Sequence, residues 1–189
     1  MKKAKVLTDA ELKKVIAYID AFDRHAERNR AIILLGHYCG MRVSEVASLL
    51  VSDVINDKGD VNDVIYLNAN QTKGSKSRRV FLSKKAKTLL KRYLQSDLSV
   101  IQQNYLFQTQ KSKRFNTNAL TTLIKRLYER VGIVGATSHS MRRTFITELA
   151  TSGVSVRVIA EAVGHSNISV TNGYIDVNDD LIGNAVELV

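Results

Sequence analysis

The spacing of apolar residues most constrains the fold of this chain. It has a helical period along most of the sequence and changes to a strand-like alternation in one region. Apolar residues recur every three or four positions through most of the chain, which predicts α-helices. From Val51 to Ser83 the pattern becomes an alternation, with the turn-like segment Lys73-Gly74-Ser75-Lys76 inside it. The sequence therefore predicts a mainly α fold with a small antiparallel β-sheet, of the α+β class.

Helix-start and helix-stop residues give the expected bounds. Thr8 and Glu11 form a capping box at the start of the first helix, and glycines end several later ones. The expected helical segments are 8–22, 27–39, a short one from Ser44, 84–95, 118–131, 141–151 and 155–163. The 189 residues include no proline and no linker-like stretch, so residues 1–189 are expected to form a single domain.

Charge narrows the class of partner. Lysine and arginine number 28 against 18 acidic residues, a net charge of +10, which favours a polyanion and above all nucleic acid. Apolar runs such as Ala31–Leu35 are too short to span a membrane, and the lysine-rich start lacks the apolar centre of a signal peptide. We therefore expect a cytoplasmic protein without a membrane partner. The single cysteine, Cys39, is expected to pack in an apolar helix rather than to react.

Two basic segments in the first half can hold a phosphate. In Gly40-Met41-Arg42-Val43-Ser44-Glu45, a glycine ends one helix and Ser44 is expected to cap the next, which leaves Arg42 in the corner between them. An exposed ion pair with Glu45 is the other interpretation of this arginine. The second segment, Thr72–Arg79, is a basic hairpin tip whose Lys73 can reach a DNA groove or simply lie in solvent.

Two more candidate segments lie in the second half. His139 and Arg142 are three residues apart at the start of a helix, where free N–H groups favour an anion. Near the end, "GHSNISVTNGY" places His165 after a helix-ending glycine and Tyr174 nine positions later. Each motif alone also has an ordinary structural explanation, as a helix cap or a packed tyrosine.

Together the four segments resemble the motifs of the tyrosine recombinases, also called the phage integrase family. The similar stretches are "GMRVSEVASLLVSDV", "TKGSKSRRVFL", "HSMRRTFIT" and "VGHSNISVTNGYI", in the family's order and spacing. The resemblance implies a site-specific DNA recombinase or integrase with the tyrosine recombinase catalytic-domain fold. It assigns these side chains to the pocket around the scissile phosphate: Arg42, Lys73, His139, Arg142 and His165. It also assigns Tyr174 as the nucleophile, on a flexible segment beyond a turn, and Glu45 as the acid that braces the first arginine.

The chemistry suits these residue types. A tyrosine with a pKa of about 10 needs a partner that takes its proton or favours its anion. Two guanidinium groups can stabilise the charge that grows on the nonbridging phosphate oxygens without a metal ion or another cofactor. A lysine suits the general acid for the leaving 5′ oxygen, since an arginine holds its proton too tightly. The expected product is a 3′-phosphotyrosyl DNA with a free 5′ hydroxyl.

The resemblance leaves the extent of the protein and two alternative functions open. Family members usually carry an N-terminal core-binding domain, which is expected to be absent here, so the chain is either an excised catalytic domain or a naturally short recombinase. A noncatalytic DNA-binding regulator with a helix-turn-helix in "SVRVIAEAVGHSNISVTNGYI" is a second hypothesis. A type IB topoisomerase, which relaxes DNA, is a third. Ser140 and Arg143 also depart from the residues that the family often has in the His-x-x-Arg box.

The last segment, 177–189, has apolar residues three and four positions apart and is expected to form a short helix. By resemblance, such a tail docks on a neighbouring protomer. We therefore expect double-stranded DNA as the partner, self-assembly from dimer to tetramer on that DNA, and accessory DNA-bending proteins. The other interpretation of the tail is a terminal helix that packs on its own domain.

Overall fold

A computed structural model describes residues 4–72, 74, 76–175, 182–183 and 186–187. The helices are α1 (Asp9–Phe22), α2 (Ala26–Cys39), α3 (Val43–Ser48), α4 (Val51–Val54), α5 (Lys84–Ser96), α6 (Thr117–Arg130), α7 (Ser140–Thr151), α8 (Val156–Val163) and α9 (Ile168–Asn172). Two strands, β1 (Val64–Leu67) and β2 (Arg78–Phe81), pair antiparallel, and short 3₁₀ turns lie at Ala69–Gln71 and Leu98–Gln102. The expected mainly helical fold with a small antiparallel sheet is confirmed.

Helix α2 is the centre of the main core. Its apolar run Ala31–Leu35 is buried on all sides, and α1, α5 and α7 pack around it. Gly36 allows the close approach of α7, since a Cβ there would lie 2.8 Å from the Met141 side chain. The helix ends at Gly40, whose φ of 57° is left-handed and favours glycine. This packing brings the start of α7 against the end of α2.

A smaller apolar cluster lies where α7 and α8 meet. Ile146, Ile159 and Val163 are fully buried there, and the partly buried Phe145 and Tyr174 pack against them. The cluster fixes the end of α8 beside the start of α7. Both ends contribute to the site described below.

The sheet has one buried and one exposed face. Ile65 on β1 pairs with Val80 on β2, and both side chains are buried. Tyr66 and Phe81 point outward, with exposed fractions of 68% and 61%. Arg78 lies opposite Leu67 at the end of the ladder nearest the hairpin connection.

Three details differ from the expectations. Helix α3 begins at Val43 rather than at Ser44, because the Glu45 carboxylate accepts a hydrogen bond from the Arg42 backbone N–H and makes Arg42 the cap. The alternating stretch from Val51 also contains the helix α4, since its apolar residues pack as one helical turn. The predicted turn between His165 and Tyr174 contains the helix α9, whose cap is the Asn167 side chain.

Cys39 is buried in the main core, as expected for a packing residue. Burial raises the pKa of its thiol to about 12, so the group stays protonated and unreactive at neutral pH. Among the residues given above, no helix combines the length and the apolar character needed to cross a lipid bilayer.

Candidate active site

The end of α8 collects three arginine side chains. The carbonyl oxygens of Ala162–Gly164 each accept a hydrogen bond from a different guanidinium, in the order Arg78, Arg142, Arg42, at 3.0, 2.6 and 3.0 Å. The last carbonyls of a helix have no partner within the helix and carry its negative dipole end. Gly164, with a φ of 68°, ends the helix and leaves these oxygens accessible. Three cations from three distant elements therefore meet at one helix terminus.

Glu45 is the anion between two of these cations. Its carboxylate is fully buried and accepts two hydrogen bonds from the Arg78 side chain, at 3.0 and 2.7 Å. It also accepts hydrogen bonds from Arg42, at 2.9 Å from the guanidinium and 2.7 Å from the backbone. Burial alone would raise the pKa of Glu45, but the hydrogen bonds and charge of Arg78, followed by those of Arg42, lower it. The carboxylate therefore stays ionised and fixes both guanidinium planes.

Arg142 lies between two helix ends. Its side chain donates to the carbonyl of Gly40 at the end of α2, at 2.5 Å, and to the carbonyl of Val163 in α8. Burial, and then the positive charge of Arg42, lowers the pKa of Arg142 to about 9. The group remains charged at neutral pH because the two negative helix ends compensate part of its charge.

His165 follows Gly164 and packs beside Tyr174. The two ring centroids lie 5.5 Å apart, with an angle of 32° between the planes. The His165 Nδ1 lies 2.8 Å from the hydroxyl oxygen of Thr171. Burial, followed by the charges of Arg142 and Arg42, lowers the pKa of His165 to about 4. The imidazole is therefore neutral at physiological pH.

Helix α9 places Tyr174. The Tyr174 backbone N–H donates to the carbonyl of Thr171 at 2.9 Å, which continues the helical turn. The ring is partly buried against the cluster between α7 and α8, so this tyrosine is held by packing instead of lying free on its segment. It is also close enough to Arg142 for a negative charge on the phenol oxygen to interact with the guanidinium.

An open groove of about 800 Å³ lies in front of these groups. The hairpin connection lines one side, including Thr72, Gly74 and Lys76, and Arg42 and His165 line the other. The groove carries a positive charge and is open to solvent. It therefore suits an extended polyanion better than a small ligand.

The structure thus brings together four of the predicted side chains, and Glu45 braces the first of them. These four are Arg42, Arg142, His165 and Tyr174. His139 differs from the expectation, since it precedes α7 as its cap residue and is exposed while Arg142 is buried. Within the described residues, its side chain makes no hydrogen bond to this group. Lys73 lies outside the described residues.

Sequence reasoning missed two residues of the site. Arg78 was hidden in a run of basic residues, although its position opposite the buried Leu67 distinguishes it from the exposed Arg79. Thr171 was taken as part of a turn, although it lies three positions before Tyr174, which is helical spacing. Arg78 is partly buried and Thr171 is fully buried, and each has a side-chain partner in the site.

Comparison with known proteins gives the family. The model of the phage integrase family matches residues 5–180, which is most of the chain. The chain belongs to the phage integrase family. The resemblance drawn from the four motifs is therefore confirmed.

Curated members of the family show the same likeness. The tyrosine recombinase XerA of Pyrococcus horikoshii is 31% identical over 186 residues, covering 97% of this chain and 60% of that protein. The tyrosine recombinase XerC of Herpetosiphon aurantiacus is 31% identical over 157 residues, covering 81% of this chain and 49% of that protein. The chain thus spans about three fifths or less of these two relatives.

Solved structures of the family agree in fold. The crystal structure of XerA recombinase aligns with a TM-score of 0.80 and 27% identity, over the whole of this chain and 66% of that one. The XerH site-specific recombinase bound to its difH substrate in a pre-cleavage complex aligns with a TM-score of 0.72 and 24% identity, over 98% of this chain and 54% of that one. The described elements therefore have the fold of a tyrosine recombinase.

Proposed function

We propose that this protein cleaves and rejoins double-stranded DNA in site-specific recombination, through a 3′-phosphotyrosyl intermediate on Tyr174. One observation carries the proposal: two arginines and a histidine meet at the end of α8, with the tyrosine ring packed on the histidine. Two buried or half-buried guanidiniums beside a phenol form a site for phosphoryl transfer without a metal ion. Membership of the phage integrase family supports the same reaction.

The arginines hold the phosphate. In Arg42 and in Arg142, each of the two terminal nitrogens donates one hydrogen bond to a protein oxygen. The other N–H groups of each guanidinium can therefore donate to the nonbridging oxygens of the phosphate. Their protein partners fix the guanidinium planes before any substrate binds. Such preorganised donors stabilise the charge that develops as phosphorus becomes five-coordinate.

Tyr174 supplies the attacking oxygen. The phenol oxygen forms a bond to phosphorus, the bond from phosphorus to the 5′ oxygen breaks, and the phosphate ester is retained on the tyrosine. His165 is neutral, so it donates a hydrogen bond to a nonbridging oxygen without adding another positive charge. The reverse reaction with a second 5′ hydroxyl rejoins the strand and needs no external energy source.

Two proton transfers complete the step. Lys73, which lies between Thr72 and Gly74 in the sequence, is proposed as the acid that protonates the leaving 5′ oxygen. His139 is proposed as the group that takes the phenol proton, which requires DNA or the hairpin to bring its exposed side chain to the tyrosine. These two roles rest on the family motifs.

A noncatalytic regulator fits the site less well. A DNA-binding helix-turn-helix needs a second helix that enters the major groove. Here α9 has only five residues, and the side chain of its buried Thr171 is hydrogen-bonded to His165. A regulator also has no use for Arg42, Arg142 and Glu45 arranged around the tyrosine.

Incubation with a nicked suicide DNA substrate tests the reaction. The nick releases a short fragment after cleavage, so a covalent protein–DNA complex accumulates and is seen by denaturing electrophoresis. Relaxation of supercoiled plasmid without exchange between paired sites would instead assign the topoisomerase activity. Absence of any covalent complex on cognate DNA would overturn the proposal.

Partners follow from the same proposal. The net charge of +10 and the basic groove support DNA binding through phosphates, so the affinity for DNA is expected to fall steeply from low to physiological salt.

We propose assembly from dimer to tetramer on DNA, with accessory DNA-bending proteins. Most of the tail 177–189 lies outside the described residues, but Ile182 and Val186 are exposed, which supports a docking role on another protomer. Sedimentation on two-site DNA, with and without residues 179–189, tests that role.

A further inference from the structure

Thr171 contacts both functional residues of its segment, His165 through its side chain and Tyr174 through its backbone. Its side chain is fully buried in α9, and its hydroxyl oxygen lies 2.8 Å from the His165 Nδ1. Its backbone carbonyl accepts the hydrogen bond of the Tyr174 N–H at 2.9 Å. One residue thus joins the phosphate-side histidine to the tyrosine.

The proton position on His165 decides what this ring can do. A neutral imidazole has one N–H donor and one bare nitrogen, and a partner on one nitrogen sets the role of the other. Burial, followed by the charges of Arg142 and Arg42, lowers the pKa of His165 and keeps the ring neutral, so only one of its two nitrogens carries a proton. The free nitrogen is Nε2, because Thr171 occupies Nδ1.

We propose that Thr171 is a positioning residue for His165: its hydroxyl donates to Nδ1, which keeps the proton on Nε2 and makes Nε2–H a donor to the scissile phosphate. This inference rests on the proposed function. In the opposite arrangement, Nδ1–H donates to the hydroxyl and Nε2 presents a lone pair to the phosphate oxygens, which repel it. Because the hydroxyl is buried, water does not compete with Nδ1 for it.

The tautomer is measured directly on the protein without DNA. The chain has four histidines, so the His165 ring nitrogens can be assigned by long-range ¹H–¹⁵N NMR spectra of the intact protein and of His165→Gln. We expect a protonated Nε2 and a bare Nδ1 at pH 7, and a mixture of tautomers in Thr171→Val. A protonated Nδ1 in the unaltered protein would overturn the proposal, whatever its activity.

Cleavage kinetics on the nicked substrate give the second test. Thr171→Val keeps the shape but removes the hydroxyl, and we expect a roughly tenfold slower formation of the covalent complex at unchanged DNA affinity. Thr171→Ser keeps the hydroxyl and should restore most of the rate. In a His165→Ala background, Thr171→Val should cause no further loss, because the two residues act through one hydrogen bond.

The outcomes separate the two proposals. If the unaltered protein forms no covalent complex, the recombinase reaction is wrong, and the NMR spectra still decide the tautomer. If it forms the complex and Thr171→Val reacts equally fast, or if the losses of the two variants multiply, Thr171 does not act through His165. Thermal melting of each variant shows whether a slower rate arises from unfolding instead.

Discussion

The two parts of the site are held in different ways. The arginine cluster consists of Arg42, Arg78 and Arg142 with the fully buried Glu45, and three of its four hydrogen bonds to the ends of α8 and α2 join residues 84 to 122 positions apart. The tyrosine segment, residues 165–174, is held mostly by local contacts, which are two side-chain hydrogen bonds, a five-residue helix and the packing of Tyr174 on the cluster between α7 and α8. The part proposed to bind the phosphate is thus built into the fold, while the proposed nucleophile is on a locally ordered segment.

Because of this difference, substitutions in the two parts should affect the stability of the fold and the rate of cleavage differently. A change in the arginine cluster removes contacts between distant elements, so it should reduce both the stability of the fold and the rate of cleavage. A change in the tyrosine segment should reduce the rate of cleavage and leave the rest of the fold unaffected. The following variants test that separation, beginning with the largest expected effect.

Tyr174→Phe should abolish the covalent complex and leave DNA affinity and melting temperature unchanged. The substitution removes only the attacking oxygen, and the ring keeps its packing against the cluster between α7 and α8. Tyr18→Phe on α1 is the matched control and should react like the unaltered protein. Covalent complex at near-normal yield in Tyr174→Phe would show that another group attacks phosphorus.

Glu45→Gln should destabilise the protein by about 3–5 kcal/mol, because two arginines lose the buried anion that pairs with them. Cleavage should slow as well, since the Arg42 plane is no longer fixed. Denaturant unfolding measures the first effect and the nicked substrate the second. Glu129→Gln, in the exposed pair with Lys125, is the control and should change stability by less than about 1 kcal/mol. A fully stable Glu45→Gln would contradict the claim that the cluster is part of the fold.

Arg42→Lys and Arg142→Lys should each raise the cleavage barrier by about 2–4 kcal/mol, because an ammonium cannot bind a phosphate and two protein oxygens in one plane. The exposed Arg92→Lys serves as the control. Single-turnover cleavage at saturating enzyme gives the comparison. An unchanged rate for either variant would remove that arginine from the phosphate pocket.

The smallest effect is a pH dependence from His165. Its pKa is about 4 in the folded protein against 6.5 for the free side chain, so the unfolded chain binds a proton first as the pH falls. The stability contributed by the neutral ring is complete above about pH 6.5 and is lost as the pH falls towards 4. His25 and His37 have lowered pKa values as well, so the test compares melting temperatures of the protein and His165→Gln over this range. Parallel curves for the two proteins would mean that burial and the arginines do not hold His165 neutral.

The sequence predicted most of the helices and the sheet well, because the patterns that indicate them involve only neighbouring residues. Periodic apolar residues and caps such as Thr8 depend only on neighbouring positions, and the structure has them where expected. The helix α9 was missed because its five residues include few apolar positions. The cap of α3 was placed at Ser44 because serine is the commoner cap, whereas the contact of Glu45 with the Arg42 backbone decides it.

The site was predictable in part for a similar reason. Arg42, Arg142, His165 and Tyr174 lie in motifs that the family resemblance identified. The role of Arg78 depends on a carboxylate 33 positions away, and only its strand position, opposite the buried Leu67, distinguishes it from the basic residues beside it. The exposure of His139 depends on how the segment before α7 packs, which spacing along a helix does not determine.

The contacts of the α8 terminus also fix when the pocket forms during synthesis of the chain. Arg42 binds a carbonyl 122 residues further along, and Arg78 binds one 84 residues further along. Contacts of such long separation close late in folding, after the local helices have formed. A nascent chain that has left the ribosome only as far as α7 therefore has its arginines without the helix end that gathers them, and the proposed cleavage also needs the later segment that bears Tyr174.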